Sequence, residues 1–236
     1  MENRDLFKSS LKEKRGGSAP LAERIRPQSL HDFRGQVHIV GNDQPLRRQI
    51  ETDSIPSLIF WGPPGSGKTT LARIIANQTK SSFQALSAVL AGVKELREVI
   101  EKAENELSLH NRKTILFVDE IHRWNKAQQD ALLPHIENGT ITLIGATTEN
   151  PSFEIIGPLL SRVKVYVLHP LEEEDLRKII LNAAGPNVTI EPKGLDYMIS
   201  SSDGDARRGL NTLEIGMGLV GAAPRGRPYA GQAQGP

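Results

Sequence analysis

Residues 62 to 70, GPPGSGKTT, set two glycines, a lysine and a threonine at the spacing G-x-x-x-x-G-K-[ST]. A short apolar run, SLIFW at 57–61, comes before it and a helical pattern, TLARIIANQ, follows, which is the context a phosphate-binding loop requires. Gly62, Gly65 and Gly67 let backbone N–H groups turn inward around phosphates, and the helix start beyond them adds the positive end of its dipole. Lys68 would reach the β and γ phosphates and the Thr69 hydroxyl would ligate Mg²⁺, with Pro63, Pro64, Ser66 and Thr70 completing the loop. The structural alternative is a Gly-Pro turn with a lysine at a helix start.

Such a loop needs a second element to handle magnesium and water. TILFVDE, 114–120, is an apolar run ending in two acids, and ligands of open α/β sheets bind at the carboxyl ends of the strands. Asp119 would hold Mg²⁺, usually through water, and Glu120 would polarise the attacking water as general base. Helix capping ahead of IHRWNKAQQDALL is the other use for this pair. TITLIGAT, 140–147, places Thr147, or its neighbour Thr148, at the same edge, where a hydroxyl could position the lytic water, although strands favour threonine anyway. Further on, SDGDARRGLNTLE at 202–214 sets Arg207 and Arg208 side by side after a Gly-Asp turn. They are either a solvated helix face or a means of reaching back to a phosphate. About 100° of helix turn separates them, so only one of the two can face it squarely.

The elements that would position these residues follow from patterning. Between about 20 and 168, the β-branched runs SLIFW, TILFVD, TITLIGAT and VKVYVL, with SSFQALSA as an intervening strand after the first, alternate with helical segments, implying a parallel sheet covered on both faces. GVKELREVIEKAENEL, 92–107, puts Val93, Leu96, Ile100, Ala103 and Leu107 on one helical stripe. From 171 to about 215 the strands stop, and a helix opens at LEEEDLRKIILNAA with acids in its first turn. The reading is therefore a flexible basic arm over 1–18, an α/β nucleotide-binding domain over 19–168, a partial helical lid over 171–215 and a low-complexity tail over 216–236.

The chain has 236 residues, enough for a full core, and 29 Lys and Arg against 28 Asp and Glu give a net charge of +1. Nucleic acid would thus be held by a local patch and not by the overall field. With no cysteine, structural disulfides, thiolate zinc sites and thiol nucleophiles are all excluded. The charged start lacks the apolar core of a signal peptide, and no stretch approaches a membrane span, so an intracellular protein without membrane contact is expected.

A lone Asp-Glu pair separated from the phosphate loop by an intervening strand, with a further strand beyond it, points to an AAA+ P-loop protein. The segments IPSLIFWGPPGSGKTTLARIIA, KTILFVDEIHRWNKAQQDALLPHIENGTITLIGATTENPSFE and SDGDARRGLNTLE resemble the replication-associated recombination protein A family, which is related to Werner helicase-interacting protein and to clamp-loader subunits. The resemblance covers residues 19 to 215. It implies a DNA-dependent ATPase that acts at stalled or damaged replication forks, in recombination and repair, with ATP and Mg²⁺ bound. Expected partners are single-stranded or forked DNA, replication or single-strand-binding proteins, and further copies of the chain in a homo-oligomer. It implies a bacterial cytoplasm, associated with the nucleoid, or a nucleus in a eukaryote.

Further roles come from the resemblance alone. PLAERIRPQSLHDFRGQVHIVG, 20–41, is similar to the family's adenine-pocket segment, so Leu21, Ala22, Arg26, Pro27 and Ile39 would flank the base. PLLSRV, 158–163, matches the Ser-Arg motif of clamp-loader relatives, which makes Arg162 an arginine finger for a neighbouring subunit's ATP; the other reading is a surface arginine before a strand. Arg207 matches the lid arginine that touches the γ-phosphate of its own subunit. The other functional reading is a nucleotide-binding module with negligible turnover that does not assemble, and a plain nucleotide kinase is a third.

Overall fold

A computed structural model describes residues 19–222; the arm expected over 1–18 and residues 223–236 of the expected tail lie outside them. Five strands form where the apolar runs predict them: β1 (Leu58–Trp61), β2 (Ser82–Ser87), β3 (Thr114–Asp119), β4 (Ile141–Thr147) and β5 (Lys164–Val167). They make one parallel sheet in the order β2-β3-β4-β1-β5. The chain therefore leaves β1, β3 and β4 at one edge, side by side in the centre of the sheet, which is where the phosphate loop, Asp119, Glu120 and Thr148 lie.

Helices run in chain order as α1 (Leu21–Arg24), α2 (Val37–Val40), α3 (Pro45–Glu51), α4 (Lys68–Gln78) and α5 (Val93–His110). After β3 come α6 (Lys126–Asp130) and α7 (Leu133–Glu137), and after β4 come α8 (Pro151–Glu154) and α9 (Gly157–Leu160). Alternation along each strand sends Leu58, Phe60, Ile115, Phe117, Ile144 and Ala146 to one face, against Leu46 and Ile50 of α3 and Leu71, Ile74 and Ile75 of α4. Ile59, Leu116, Val118, Ile141 and Leu143 go to the other, against α5. Burying each such Leu, Ile or Phe side chain stabilises the fold by about 1.5–3 kcal/mol, so the central strands hold the site's edge firmly.

The stripe expected on α5 is corrected at its ends. Leu96, Val99, Ile100 and Ala103 are buried, whereas Val93 is 42% exposed and Leu107 only half-buried. Val93 is the helix's first residue, fixed at its mouth by Glu95, whose carboxylate accepts the Gly92 N–H at 2.8 Å. Coverage of both faces also fails at the sheet's edge, where Val165 and Val167 of β5 are 40% and 42% exposed.

Three helices follow the sheet: α10 (Glu173–Ala184), α11 (Pro192–Ser202) and α12 (Ala206–Ala222). Leu176, Ile180, Leu195, Ile199, Leu210 and Leu213 form their shared core, and Leu21 of α1 joins it. Both Glu214 oxygens accept the Leu21 N–H at 3.0 Å, so the chain's first described helix is clasped to its last. The low-complexity tail expected from 216 is corrected in part: α12 continues to Ala222. Gly216 and Gly218 cost helix propensity, about 1 kcal/mol each, but Met217 packs against the lid core and offsets part of that.

Candidate active site

β1 runs into the phosphate-binding loop, whose shape is set by Gly65 (φ +67°) and Gly67 (φ +102°), values that side chains other than glycine rarely adopt. Space forbids a side chain at both positions as well. A Cβ on Gly67 would meet the Phe33 ring at 2.9 Å, and one on Gly65 would collide with the Asp205 carboxylate. Gly62 behaves differently from expectation: its N–H is spent on the Thr147 carbonyl at 3.2 Å, a rung that continues the sheet, and so does not turn inward. Its carbonyl and that of Pro63 accept from Lys68 Nζ at 2.7 and 2.8 Å. Ser66 holds the turn, its hydroxyl donating to the Pro63 carbonyl at 2.8 Å.

Lys68 is only 8% exposed, and burial pushes its pKa below the ordinary lysine value. Glu120 and Asp119, in that order, pull it back up, and Arg207 pushes it down again. These four side chains therefore share one electrostatic neighbourhood, although they lie on three separate parts of the chain.

A cavity of about 540 Å³ opens between this loop and the lid. Its phosphate end is walled by Pro64 to Thr70, Asp119, Glu120, Thr148 and Arg207. Ala22, Pro27, Phe33, Ile179, Ala183 and Leu210 give its other end an apolar lining. Asp119 closes β3, and Glu120 follows in the left-handed region at φ 55°, an uncommon conformation that turns its side chain off the strand's alternation. Glu120 Oε2 lies 3.3 Å from His122 Nδ1, and that same nitrogen lies 2.9 Å from Thr147 Oγ1. His122 was not foreseen from sequence; a histidine two residues after an acid carries no spacing signal of its own.

Thr147 is corrected. It is fully buried, and its hydroxyl accepts the Glu149 N–H at 3.0 Å and faces His122, so it braces the loop from beneath. Thr148, one residue past the strand end, lines the cavity instead. We expect Thr148→Val to lower turnover by about 10²-fold, the cost of losing one transition-state donor, with no change in melting temperature. Thr147→Val strands the Glu149 N–H and should cost about 1–3 kcal/mol of stability. Paired hydrolysis assays and thermal melts check both; a larger turnover loss in Thr147→Val at unchanged stability would reverse the assignment.

At the lid, Asp205 Oδ1 accepts the N–H groups of Arg207 and Arg208 at 2.8 and 3.1 Å and so caps α12. Arg207 lines the cavity; Arg208 instead approaches the Ser201 carbonyl at 3.5 Å. Of the expected base-flanking residues, Ala22, Arg26 and Pro27 line the cavity, while Leu21 lies in the lid core and Ile39 in the sheet core. Those two corrections share a cause: both side chains point to the apolar layer beneath the wall they belong to. Arg26 pairs with Glu23 at 2.7 Å and donates to Thr70 Oγ1 at 3.1 Å, tying the wall to α4. Arg162 is not part of this cavity. It lies on the surface after α9, with Nε 2.6 Å from Glu137 Oε1.

Among the described residues no three His, Cys, Asp or Glu gather as a metal cluster. Thr69 and Asp119 face the cavity together, and such a sparse oxygen set fits Mg²⁺, which usually takes one or two protein ligands and completes its shell with phosphates and water.

A five-stranded parallel sheet of this order, with a phosphate loop after β1, an acidic pair after β3, a hydroxyl after β4 and a helical lid bearing an arginine, defines a P-loop protein of the AAA+ class. The family model for "ATPase family associated with various cellular activities (AAA)" matches residues 58–171. Within that class the chain belongs to the replication-associated recombination protein A family. It is 53% identical over 204 residues to the replication-associated recombination protein A of Coxiella burnetii, covering 83% of this chain and 46% of that protein. It is 49% identical to the Escherichia coli K12 protein of the same name, covering 83% of this chain and 45% of that one. Against the ATPase WRNIP1 of Dictyostelium discoideum it is 44% identical over 91% of this chain and 25% of the relative. Among solved structures, the Thermotoga maritima RuvB Holliday junction branch migration motor superposes with a TM-score of 0.68 at 30% identity, over 84% of this chain and 67% of that one. The chain spans just under half the length of the bacterial replication-associated recombination proteins it matches.

Proposed function

We propose that this chain binds ATP with Mg²⁺ and hydrolyses it, as a DNA-dependent ATPase of replication-fork maintenance, recombination and repair. The observation that carries the reading is the convergence of Lys68, Asp119, Glu120, Thr148 and Arg207 on one cavity from both sheet and lid. Lys68 and the loop's N–H groups hold the β and γ phosphates. Glu120 takes a proton from water as its oxygen bonds to the γ-phosphorus; the bond to the β–γ bridging oxygen breaks, and ADP leaves with that electron pair. Held by Thr69 and Asp119, Mg²⁺ would neutralise the charge developing on the phosphate oxygens. Arg207 fits the same role from the lid, so hydrolysis and release would be felt by α10 to α12.

DNA as partner is supported by the relatives' names, replication-associated recombination and Holliday junction branch migration. Arg162 stands too far round the surface to serve its own cavity, which suits a finger reaching a neighbour's nucleotide in a homo-oligomer. No helix of the described residues is long and apolar enough to cross a membrane. The bacterial relatives support a place in the bacterial cytoplasm, at the nucleoid.

Steady-state ATP hydrolysis with and without single-stranded or forked DNA tests this. DNA should stimulate turnover, and Arg162→Ala should remove the stimulated part while nucleotide affinity stays unchanged. Binding without turnover, indifferent to DNA and to Arg162, would instead identify a nucleotide-binding module that does not assemble.

A further inference from the structure

At the end of the cavity away from the phosphates, one arginine has no partner among the described residues. Arg34 lines the wall, its Nε is enclosed and unbonded, and among the described residues its guanidinium makes no ion pair or hydrogen bond. The other arginines at this end are occupied, Arg24 with Glu214 at 3.4 Å and Arg26 with Glu23. Leaving an enclosed N–H without an acceptor costs free energy, so an acceptor brought by the ligand is the natural partner. The position of Arg34 narrows which part of the ligand that is. Phe33 lies over Gly67 at the head of the phosphate loop and Gly35 lies against Leu171 at the root of the lid, which places Arg34 between them, beside the apolar end that suits the faces of a purine. The phosphates already have Lys68, Arg207 and the loop's own N–H groups.

A guanidinium offers five donors and no acceptor. Guanine presents two acceptors side by side, O6 and N7, whereas adenine pairs its N7 acceptor with an N6 donor that a guanidinium repels. We propose that Arg34 reads the base of the bound nucleotide and makes this site accept guanine as well as adenine triphosphates. The inference rests on the nucleotide-binding reading above and names its substrate range.

Titrating the chain with fluorescent ribose-labelled ATP and GTP in the presence of Mg²⁺ tests it, using the parent, Arg34→Leu, Arg34→Gln and Lys68→Ala. GTP should bind the parent within about threefold of ATP. Arg34→Leu should weaken GTP about tenfold more than ATP, the scale of one bidentate base contact. Arg34→Gln, which offers a donor and an acceptor matched to adenine N7 and N6, should swing the preference toward ATP. A parent that binds ATP but not GTP overturns the proposal. So does an equal loss of both nucleotides in Arg34→Leu with no swing in Arg34→Gln, which would put Arg34 on the phosphates. If neither nucleotide binds the parent, or Lys68→Ala binds both as the parent does, the nucleotide reading itself fails and this one falls with it.

Discussion

Glu120→Gln should bind MgATP as tightly as the parent chain and turn it over about a thousandfold more slowly, within the range that general-base groups contribute. The substitution keeps the side chain's size and its hydrogen-bonding oxygen but removes the ability to take a proton. Glu120 is well placed for that role because its position is over-determined. Its backbone is held at φ 55°, a conformation that costs about 1–3 kcal/mol and persists only when the surroundings enforce it. Its carboxylate meets His122, which in turn meets the fully buried Thr147 hydroxyl, so a chain of contacts anchors the base to the end of β4. Asp119, one residue earlier and still on the strand, lacks this turn and faces the cavity beside Thr69. Asp119→Asn should therefore weaken the Mg²⁺ dependence of binding, whereas Glu120→Gln should leave it intact. Nucleotide titration at graded Mg²⁺, together with single-turnover hydrolysis, separates the two. A Glu120→Gln rate within tenfold of the parent would exclude Glu120 as the base.

The parts of this site that were legible in sequence are those in which chemistry and chain contiguity coincide. The phosphate loop is nine consecutive residues, and Asp119-Glu120 closes an apolar run long enough to be recognised as a strand. The sheet was nearly as plain, since four of its strands are short β-branched or aromatic runs between helical segments, and β2, SFQALS, fills the gap between two of them. What failed depended on direction. Thr147 and Thr148 differ by one residue, and only the exact end of β4 decides that the first is buried against His122 while the second faces the cavity. Leu21 and Ile39 are apolar residues in a wall segment, and nothing local says which of its two sides each one takes.

Arg34 illustrates the opposite error, a residue passed over within the segment whose resemblance named only Leu21, Ala22, Arg26, Pro27 and Ile39. Its signal was present, a lone arginine between Phe33 and Gly35, but its meaning depends on its making no ion pair among the described residues, which is a tertiary fact. The end of α12 is of the same kind. Composition from Gly216 onward predicts a breakdown of helix, and the packing of Met217 on the lid core overrides it as far as Ala222. Residue types alone carried Arg207 and Arg208 only to the point that one must face the site, and the resemblance chose Arg207; Asp205, by capping α12, sets the helix phase that puts Arg207 in the cavity wall.

Lys68→Ala should reduce nucleotide affinity about a thousandfold. A charge pair at 4 Å in partly screened surroundings is worth about 4 kcal/mol, which is close to three decades in Kd. In the bare site the ammonium rests on the carbonyls of Gly62 and Pro63, and burial holds its pKa below the ordinary lysine value of about 10.4. Between that lowered value and the ordinary one, the unfolded chain binds more protons than the folded one, so the bare protein gains stability as pH rises through this window. The contribution is complete above the ordinary pKa and is lost as pH falls through the native one. A polyphosphate reverses the local field and drives the pKa of Lys68 back up, so binding must take up a proton in the same window, and affinity must fall as pH rises through it. Calorimetry in buffers of different ionisation enthalpy measures that uptake directly, and it should vanish in Lys68→Ala. In melts, MgATP at a hundredfold over Kd should stabilise the parent by about 2.7 kcal/mol, or about 5–11 °C for a domain of this size, and leave the variant unmoved. A variant that still shifts by the parent's amount would mean that MgATP is not held at this loop, and the nucleotide reading of the cavity would fail.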